Sequence, residues 1–122
     1  MFVKYLVLYE EEQDEESGFL NTARQLCEEG IMEAAQHESL LEHLSWLEHH
    51  LPRRPEFAQD QNAIDNPMTW LKAEAETHCA HMEAIRQILE QNEVLVEVLE
   101  VEKPGKIIYE DHFQVVAIPF TN

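Results

Sequence analysis

The sequence contains seven histidines in 122 residues, and histidine can bind metal ions or transfer protons near neutral pH. Glu74, His78 and His81 lie at positions i, i+4 and i+7 of a predicted helix, a spacing that could present a carboxylate and two imidazoles to a divalent metal. His78 falls on the apolar stripe of that helix and His81 beside it, so the three side chains diverge and are weak metal candidates. The metalloprotease pattern also fails, because Leu41 stands where the second histidine is needed. We therefore expect no metal and no cofactor.

A second group of histidines surrounds Trp46 on another predicted helix. If the leucine stripe of that helix faces the core, Trp46 points nearly the opposite way, flanked by His43, His49 and His50. Tryptophan is enriched at binding hot spots, and histidine can be neutral when it is desolvated. These four side chains are therefore predicted to bind a partner. The alternative is that Trp46, together with Trp70, packs under the proline-containing loop that follows the helix.

One predicted turn brings together four titratable groups, Tyr109, Glu110, Asp111 and His112. They could act as an acid–base site if a pocket enclosed them, although turns are polar for ordinary reasons. The chain has neither a Gly-x-Ser-x-Gly elbow nor a phosphate-binding glycine loop. Its two cysteines, Cys27 and Cys79, lie on or beside apolar helix positions, where thiols usually pack as small hydrophobes. We predict no catalytic residue and favour a protein that is not an enzyme.

The densest charge precedes the first predicted helix. Acidic side chains fill all but one of positions 10–16, namely Glu10, Glu11, Glu12, Asp14, Glu15 and Glu16. The last of these would lie near the N-terminus of the helix, where the helix dipole favours negative charge. The first four, Glu10 to Asp14, have no such role. We predict that they contact a basic partner.

The whole chain is strongly acidic, with 25 Asp and Glu against 8 Lys and Arg and a net charge of −17. Affinity for nucleic acid comes mostly from Lys and Arg, so direct binding to DNA or RNA is disfavoured. Anionic membrane surfaces are disfavoured for the same reason, whereas encounter with a basic protein or a cationic small molecule is accelerated. No window is apolar enough to span a membrane, and the apolar start lacks a basic leader. We therefore expect a cytoplasmic protein.

Apolar residues at three- and four-residue spacing predict three helices that position these side chains. The first covers residues 17–35, with Gly30 as a candidate C-terminal cap. The second begins at a capping box formed by Ser39 and Glu42, and the pattern leaves open whether it continues the first as one bent helix. Its buried face is predicted to carry Leu40, Leu44, Leu47 and Leu51. The third starts where Asn66 and Pro67 provide a cap and a first turn, and covers about residues 67–91.

Runs of β-branched and apolar residues predict the strands Phe2–Tyr9, Val94–Val101 and Phe113–Phe120, with a short one at Ile107–Tyr109. The segment Lys103–Lys106 has proline and glycine at the centre of a type II turn, which would join two strands into an antiparallel hairpin. The order β-α-α-α-β-β-β indicates an α+β fold, in which helices pack on one face of an antiparallel sheet of about four strands. We therefore predict a single domain that covers residues 1–122.

The last predicted strand is apolar on both of its faces. A single layer of helices covers only one of them, so the other needs a further cover. A second copy of the chain would supply it, because symmetric dimers are the commonest oligomers. We therefore expect a homo-oligomer, most simply a dimer.

Three functions are compatible with these observations. The first is a non-catalytic interaction protein, such as an inhibitor, immunity-type or adaptor protein, that binds a basic partner protein. The second is a small-molecule-binding or enzymatic α+β domain with an apolar pocket for cationic amphiphilic ligands. The third is a nucleic-acid mimic, which would need its acids arrayed in two rows. The charge and the lack of catalytic motifs favour the first.

Overall fold

A computed structural model describes residues 1–8, 18–52 and 67–120, in which three helices and five strands follow one another. The strands form one antiparallel sheet in the order β3-β1-β2-β5-β4, and the helices pack on one of its faces. The predicted α+β class is therefore confirmed. The elements are β1 (Phe2–Val7), α1 (Phe19–Glu29), α2 (Ala34–His50), β2 (Met68–Lys72), α3 (Glu76–Gln91), β3 (Val96–Val101), β4 (Lys106–Glu110) and β5 (Gln114–Ile118).

Strand β2 was not predicted, and it makes five strands rather than about four. It occupies the start of the segment 67–91 that helical spacing assigned to the third helix, and α3 begins only at Glu76. β2 lies between β1 and β5, with Trp70 opposite Val115. Its side chains therefore gain buried neighbours on both sides, which outweighs a local helix preference. The proposed start at Asn66 lies outside the described residues, and Pro67 directly precedes the strand.

Two separate helices replace the bent-helix alternative. Gly30 ends α1 in the left-handed conformation with φ 67°, so the predicted cap is confirmed. The predicted capping box is wrong, because α2 starts at Ala34 and Ser39 lies inside it. Ile31, within the segment 17–35 that was predicted as the first helix, is 75% exposed in the connection between the two helices.

The main core lies between the helices and one face of the sheet. The sheet contributes Val3, Tyr5 and Val7 of β1 and Leu71 of β2. Helix α2 contributes Leu40, Leu44 and Leu47, as its leucine spacing predicted, and α3 contributes Met82, Ile85, Ile88 and Leu89. This burial brings α2 and α3 together and sets which of their side chains meet.

A second apolar cluster lies on the opposite face of the sheet. Trp70, Val115 and Ala117 are buried there, and they pack with Phe2, Met68, Leu99 and Val101. Val116, on the helix side of β5, is also fully buried. Both faces of β5 are thus covered within a single chain, so this strand does not need a second copy to cover it.

The predicted hairpin between β3 and β4 is wrong, because these strands lie at opposite edges of the sheet. Only Glu102–Gly105 joins them, a segment that reaches at most about 18 Å. The two edges of a flat five-stranded sheet would be about 19 Å apart. Because β3 and β4 are parallel, the segment that joins them must also run back along the length of a strand. The sheet must therefore be strongly coiled, which agrees with the packing of Leu99 and Val101 against Trp70 and its neighbours.

Candidate functional site

Helices α2 and α3 and the residue before β5 bring six rings together, in a group that we call the Trp46 cluster. Its members are His43, Trp46 and His50 of α2, His78 and His81 of α3, and Phe113, which precedes β5. The α2 residues are spaced by three and four positions and the α3 pair by three, so each set lies on one row of its helix. Core packing turns the two rows towards each other.

Trp46 is enclosed by imidazoles. Its indole stacks on His50 with 4.2 Å between ring centroids and on His81 with 4.1 Å, and His78 meets it edge-on at 4.8 Å. The expectation that Trp46 points away from the core is corrected, because it is partly buried and packs against the helix-side core. Trp70 does not join it, since Trp70 lies on the other face of the sheet. A role for Trp46 in binding a partner stays a prediction.

His43 and His81 share a short contact between the helices. Their Nδ1 atoms are 2.7 Å apart, so one nitrogen must donate a proton and the other must accept it. Protonation of both Nδ1 atoms would place two N–H groups against each other. Burial is the main cause that lowers the pKa of His81, and the nearby imidazoles of His43, His78 and His50 lower it further. Burial and the neighbouring imidazoles thus disfavour the charged form of His81.

His78 joins three elements. It is 5% exposed, its ring stacks on Phe113 at 4.2 Å, and its Nε2 lies 2.9 Å from the carbonyl oxygen of His50. Because a carbonyl only accepts, Nε2 carries the proton. His78 thus holds the end of α2 and the start of β5 against α3. His49 has a different position, exposed on α2, with its Nδ1 2.7 Å from the carbonyl oxygen of Ser45.

The metal candidates do not assemble. Within the described ranges, no group of three or more His, Cys, Asp or Glu side chains is placed to hold a metal ion. Glu74 is exposed in the connection between β2 and α3, outside the helix in which the spacing placed it. The Nδ1 atoms of His43 and His81 are also closer than the roughly 3.3 Å that separates two nitrogen ligands on one tetrahedral zinc ion.

The predicted polar turn between β4 and β5 is organised by Asp111. Its Oδ1 accepts the backbone N–H groups of Phe113 and Gln114, and its Oδ2 accepts the hydroxyl of Tyr109 and the side-chain amide of Gln114. Burial alone would raise the pKa of Asp111, but the hydrogen bonds from Gln114, Phe113 and Tyr109 outweigh it and lower the pKa. The carboxylate is thus saturated by groups of its own turn.

The remaining members of that turn point to other partners. Glu110 forms an ion pair with Lys72 of β2 at 2.5 Å, and His112 is exposed beside Phe113. The structure therefore brings Tyr109 and Asp111 into direct contact, whereas Glu110 and His112 stand apart from it. The hydrogen bonds that Asp111 forms within the turn are a structural reason for polar residues at these positions.

A cavity of about 300 Å³ lies between the start of α1 and the sheet. Its lining is mostly apolar and includes Val3, Phe19 and Met82. Among the described residues, the charged ones that line it are Lys4 and Arg24, which are basic. Such a lining favours a neutral or anionic head group over the cationic one expected from the net charge.

The remaining candidate functional residues are the two cysteines and the acidic segment. Cys27 and Cys79 are free thiols, and burial is the main cause that raises the pKa of each of them. Neither is therefore an activated nucleophile. The predicted partner-binding residues Glu10, Glu11, Glu12 and Asp14 lie outside the described residues.

No family model, curated protein or solved structure matches this chain. None of the described helices is long and apolar enough to cross a membrane. The sequence does not predict that His43 meets His81 or that His78 and His81 reach Trp46. The available signal was the shared spacing of aromatic and histidine residues on two helices that each carry an apolar stripe.

Proposed function

We propose that this chain is a non-catalytic interaction protein that binds a basic partner protein. One observation carries the proposal: every described carboxylate except those of Glu83 and Asp111 is exposed. Two of the described cations are already neutralised within the chain, Lys72 by Glu110 and Arg86 by Glu83 and Glu90. The surface therefore presents unbalanced negative charge, which attracts basic partners and repels anionic ones.

The arrangement of the polar groups supports a binding role over a catalytic one. Asp111 is saturated within its turn, and Nε2 of His78 bonds the backbone of α2. A general acid or base needs a hydrogen-bonding position open to substrate, which the carboxylate of Asp111 does not have. Both groups act instead as connections between elements.

Selection from a displayed library of random peptides tests this proposal. The immobilised full chain is offered peptides of about ten residues at about 0.15 M NaCl, where weak long-range attraction is screened. We expect the enriched sequences to be rich in Lys and Arg and to bind with a defined stoichiometry. Enrichment of neutral or acidic sequences, or no enrichment, would contradict a basic partner.

The cavity beside α1 supports one alternative, the binding of a small amphiphile. Its volume of about 300 Å³ lies at the lower end of the range for ligand sites, and the charged residues of its described lining, Lys4 and Arg24, are basic. A thermal-shift screen that compares anionic, neutral and cationic amphiphiles of equal chain length tests it. A rise in melting temperature with anionic or neutral compounds would favour this alternative, and no shift with any class would remove it.

A further inference from the structure

The outer edge of β3 is the most regular open feature of the described fold. β3 pairs with β1 over six consecutive residues, from Phe2 opposite Val101 to Val7 opposite Val96. The N–H of Leu8 donates to the carbonyl of Leu95 at 3.0 Å, in register with this ladder. In an antiparallel pair, hydrogen-bonded residues alternate with residues whose backbone groups point away. The N–H and C=O groups of Val96, Val98 and Glu100 therefore point away from β1.

The two edges of the sheet differ in how they are protected. β4 begins at Lys106, two residues after Pro104, and has an irregular register between Ile107 and Tyr109. Lysine, proline and bulges are the features that keep a sheet edge from pairing with another chain. β3 contains none of them, since its sequence is VEVLEV and its register is unbroken.

The side chains along β3 define what this edge can accept. Glu97 and Glu100 are exposed and, three positions apart, lie on opposite faces of the strand. Val98 is 36% exposed and Leu95, just before the strand, is 45% exposed. A strand paired here would thus meet a carboxylate on each face and aliphatic groups between them.

We propose that the β3 edge binds an extended basic segment of a partner protein by strand addition. This inference rests on the proposed function and assigns the surface that performs it. The backbone groups of Val96, Val98 and Glu100 would form the new ladder, while lysine or arginine side chains pair with Glu97 and Glu100. Aliphatic residues of the segment would cover Val98 and Leu95.

Charge decides against a second copy as the occupant. Two β3 strands paired edge to edge about their middle would bring Glu97 of one copy near Glu97 of the other, or Glu100 near Glu100, in a protein that already carries a net charge of −17. Like charges opposite or diagonal to each other destabilise a strand pair. The same glutamates that oppose self-pairing select a basic segment.

Paired variants of the full chain test the surface with a basic peptide from the display selection. E97Q/E100Q removes two carboxylates from β3, and E38Q/E42Q removes two exposed carboxylates from α2. We expect E97Q/E100Q to weaken peptide binding about tenfold and E38Q/E42Q to weaken it less than about threefold. Equal losses in the two variants, or a larger loss for the α2 pair, would overturn the proposal.

A second pair of variants separates the backbone from the side chain. V98P removes an N–H that points outward, so the ladder to β1 is kept, whereas V98A shortens the side chain and keeps the N–H. We expect V98P to abolish binding and V98A to retain most of it. Unchanged binding by a folded V98P would overturn strand addition. If V98P does not fold, N-methylation of alternate peptide residues gives the same test from the other strand.

Amide exchange of the unmodified chain gives an independent readout. With saturating peptide, exchange should slow at Val96, Val98 and Glu100 and stay unchanged at Glu97 and Leu99, which already bond to β1. Protection elsewhere, with none at these three amides, would overturn the β3 assignment while leaving a basic partner in place. If the selection yields no basic peptide, both proposals fail.

Discussion

At the scale of single residues, Trp46 shows that a residue type common at binding interfaces can instead pack against the core of its own chain. The indole lies between His50 and His81, and His78 connects it to Phe113. The contact of Trp46 with His81 joins α2 to α3, and that of His78 with Phe113 joins α3 to the start of β5. The most sensitive point is the contact between Nδ1 of His43 and Nδ1 of His81, because its geometry depends on protonation.

Acid should therefore weaken the fold through His81. The folded chain holds the pKa of His81 below the ordinary value of 6.5, whereas the unfolded chain takes up the proton at that value. The unfolded state then binds more protons between the two values, so the free energy of unfolding falls as pH drops below about 6.5 and is fully retained above it.

Urea unfolding at about pH 7.5 and about pH 5.5 measures this effect. H81Q should show a smaller loss of stability between the two pH values than the natural chain. H49Q is the matched control, since the ring of His49 bonds the carbonyl of Ser45 on its own helix. Equal pH dependence in H81Q and in the natural chain would contradict the role of His81.

Asp111 is the second residue whose removal has a defined effect. D111A leaves the N–H groups of Phe113 and Gln114 without their acceptor, so we expect a loss of about 2–4 kcal/mol in the free energy of unfolding. Y109F removes only the hydroxyl that bonds Asp111 and should cost about 1 kcal/mol. Denaturant titration compares the two, and a D111A variant as stable as Y109F would show that the turn does not depend on this carboxylate.

At the scale of elements, the sheet is shaped by how its edges are connected. β3 and β4 run in the same direction at opposite edges, and only Glu102–Gly105 joins them. The start of β4 also lies against the end of β5, where Lys106 is opposite Ile118. Gly105 has φ 140°, and a Cβ placed on it would lie 2.1 Å from the carbonyl oxygen of Ile118.

G105A should accordingly be among the most damaging small substitutions in this chain. It adds a steric clash to an unfavourable φ, and we expect it to cost at least about 3 kcal/mol. Gly30 is a matched control, because its φ of 67° is also positive but nothing lies within 4 Å of an added Cβ. G30A should cost about 1 kcal/mol, and similar melting temperatures for the two variants would refute the close approach of Gly105 to β5.

At the scale of the whole molecule, exposed negative charge is the dominant property. A net charge of −17 on 122 residues repels itself in the folded state, and salt screens that repulsion. The melting temperature should therefore rise by a few degrees between about 0.01 M and about 0.2 M NaCl. E38Q/E42Q, which removes two exposed carboxylates of α2, should show a smaller rise. A melting temperature that does not respond to salt would contradict the role of self-repulsion.

The oligomeric state is also a property of the whole molecule. The burial of Val115, Val116 and Ala117 within one chain removes the need for a second copy to cover β5. Exposed apolar side chains remain elsewhere, among them Ile31, Leu41 and Phe120. A homo-oligomer stays a prediction, and light scattering at micromolar concentration tests it, with a monomer as the contradicting result.

Local patterns by themselves determined a substantial part of this protein. The leucine spacing of α2, the end of α1 at Gly30 and the turn at Asp111 each depend on residues within a few positions, so they follow from the sequence. The α+β class follows too, because runs of β-branched residues and helical stripes are local signals. The excess of acidic residues likewise follows directly from the amino-acid composition.

Only the tertiary structure decided how these elements meet. Met68–Lys72 is a strand because β1 and β5 lie on either side of it, and Trp46 is enclosed because α3 turns His78 and His81 towards it. The hairpin expected at Lys103–Lys106 failed for the same reason, since β3 pairs with β1, whose sequence is almost a hundred residues away. Strand partners and ring contacts depend on residues distant in sequence, and local spacing carries no information about them.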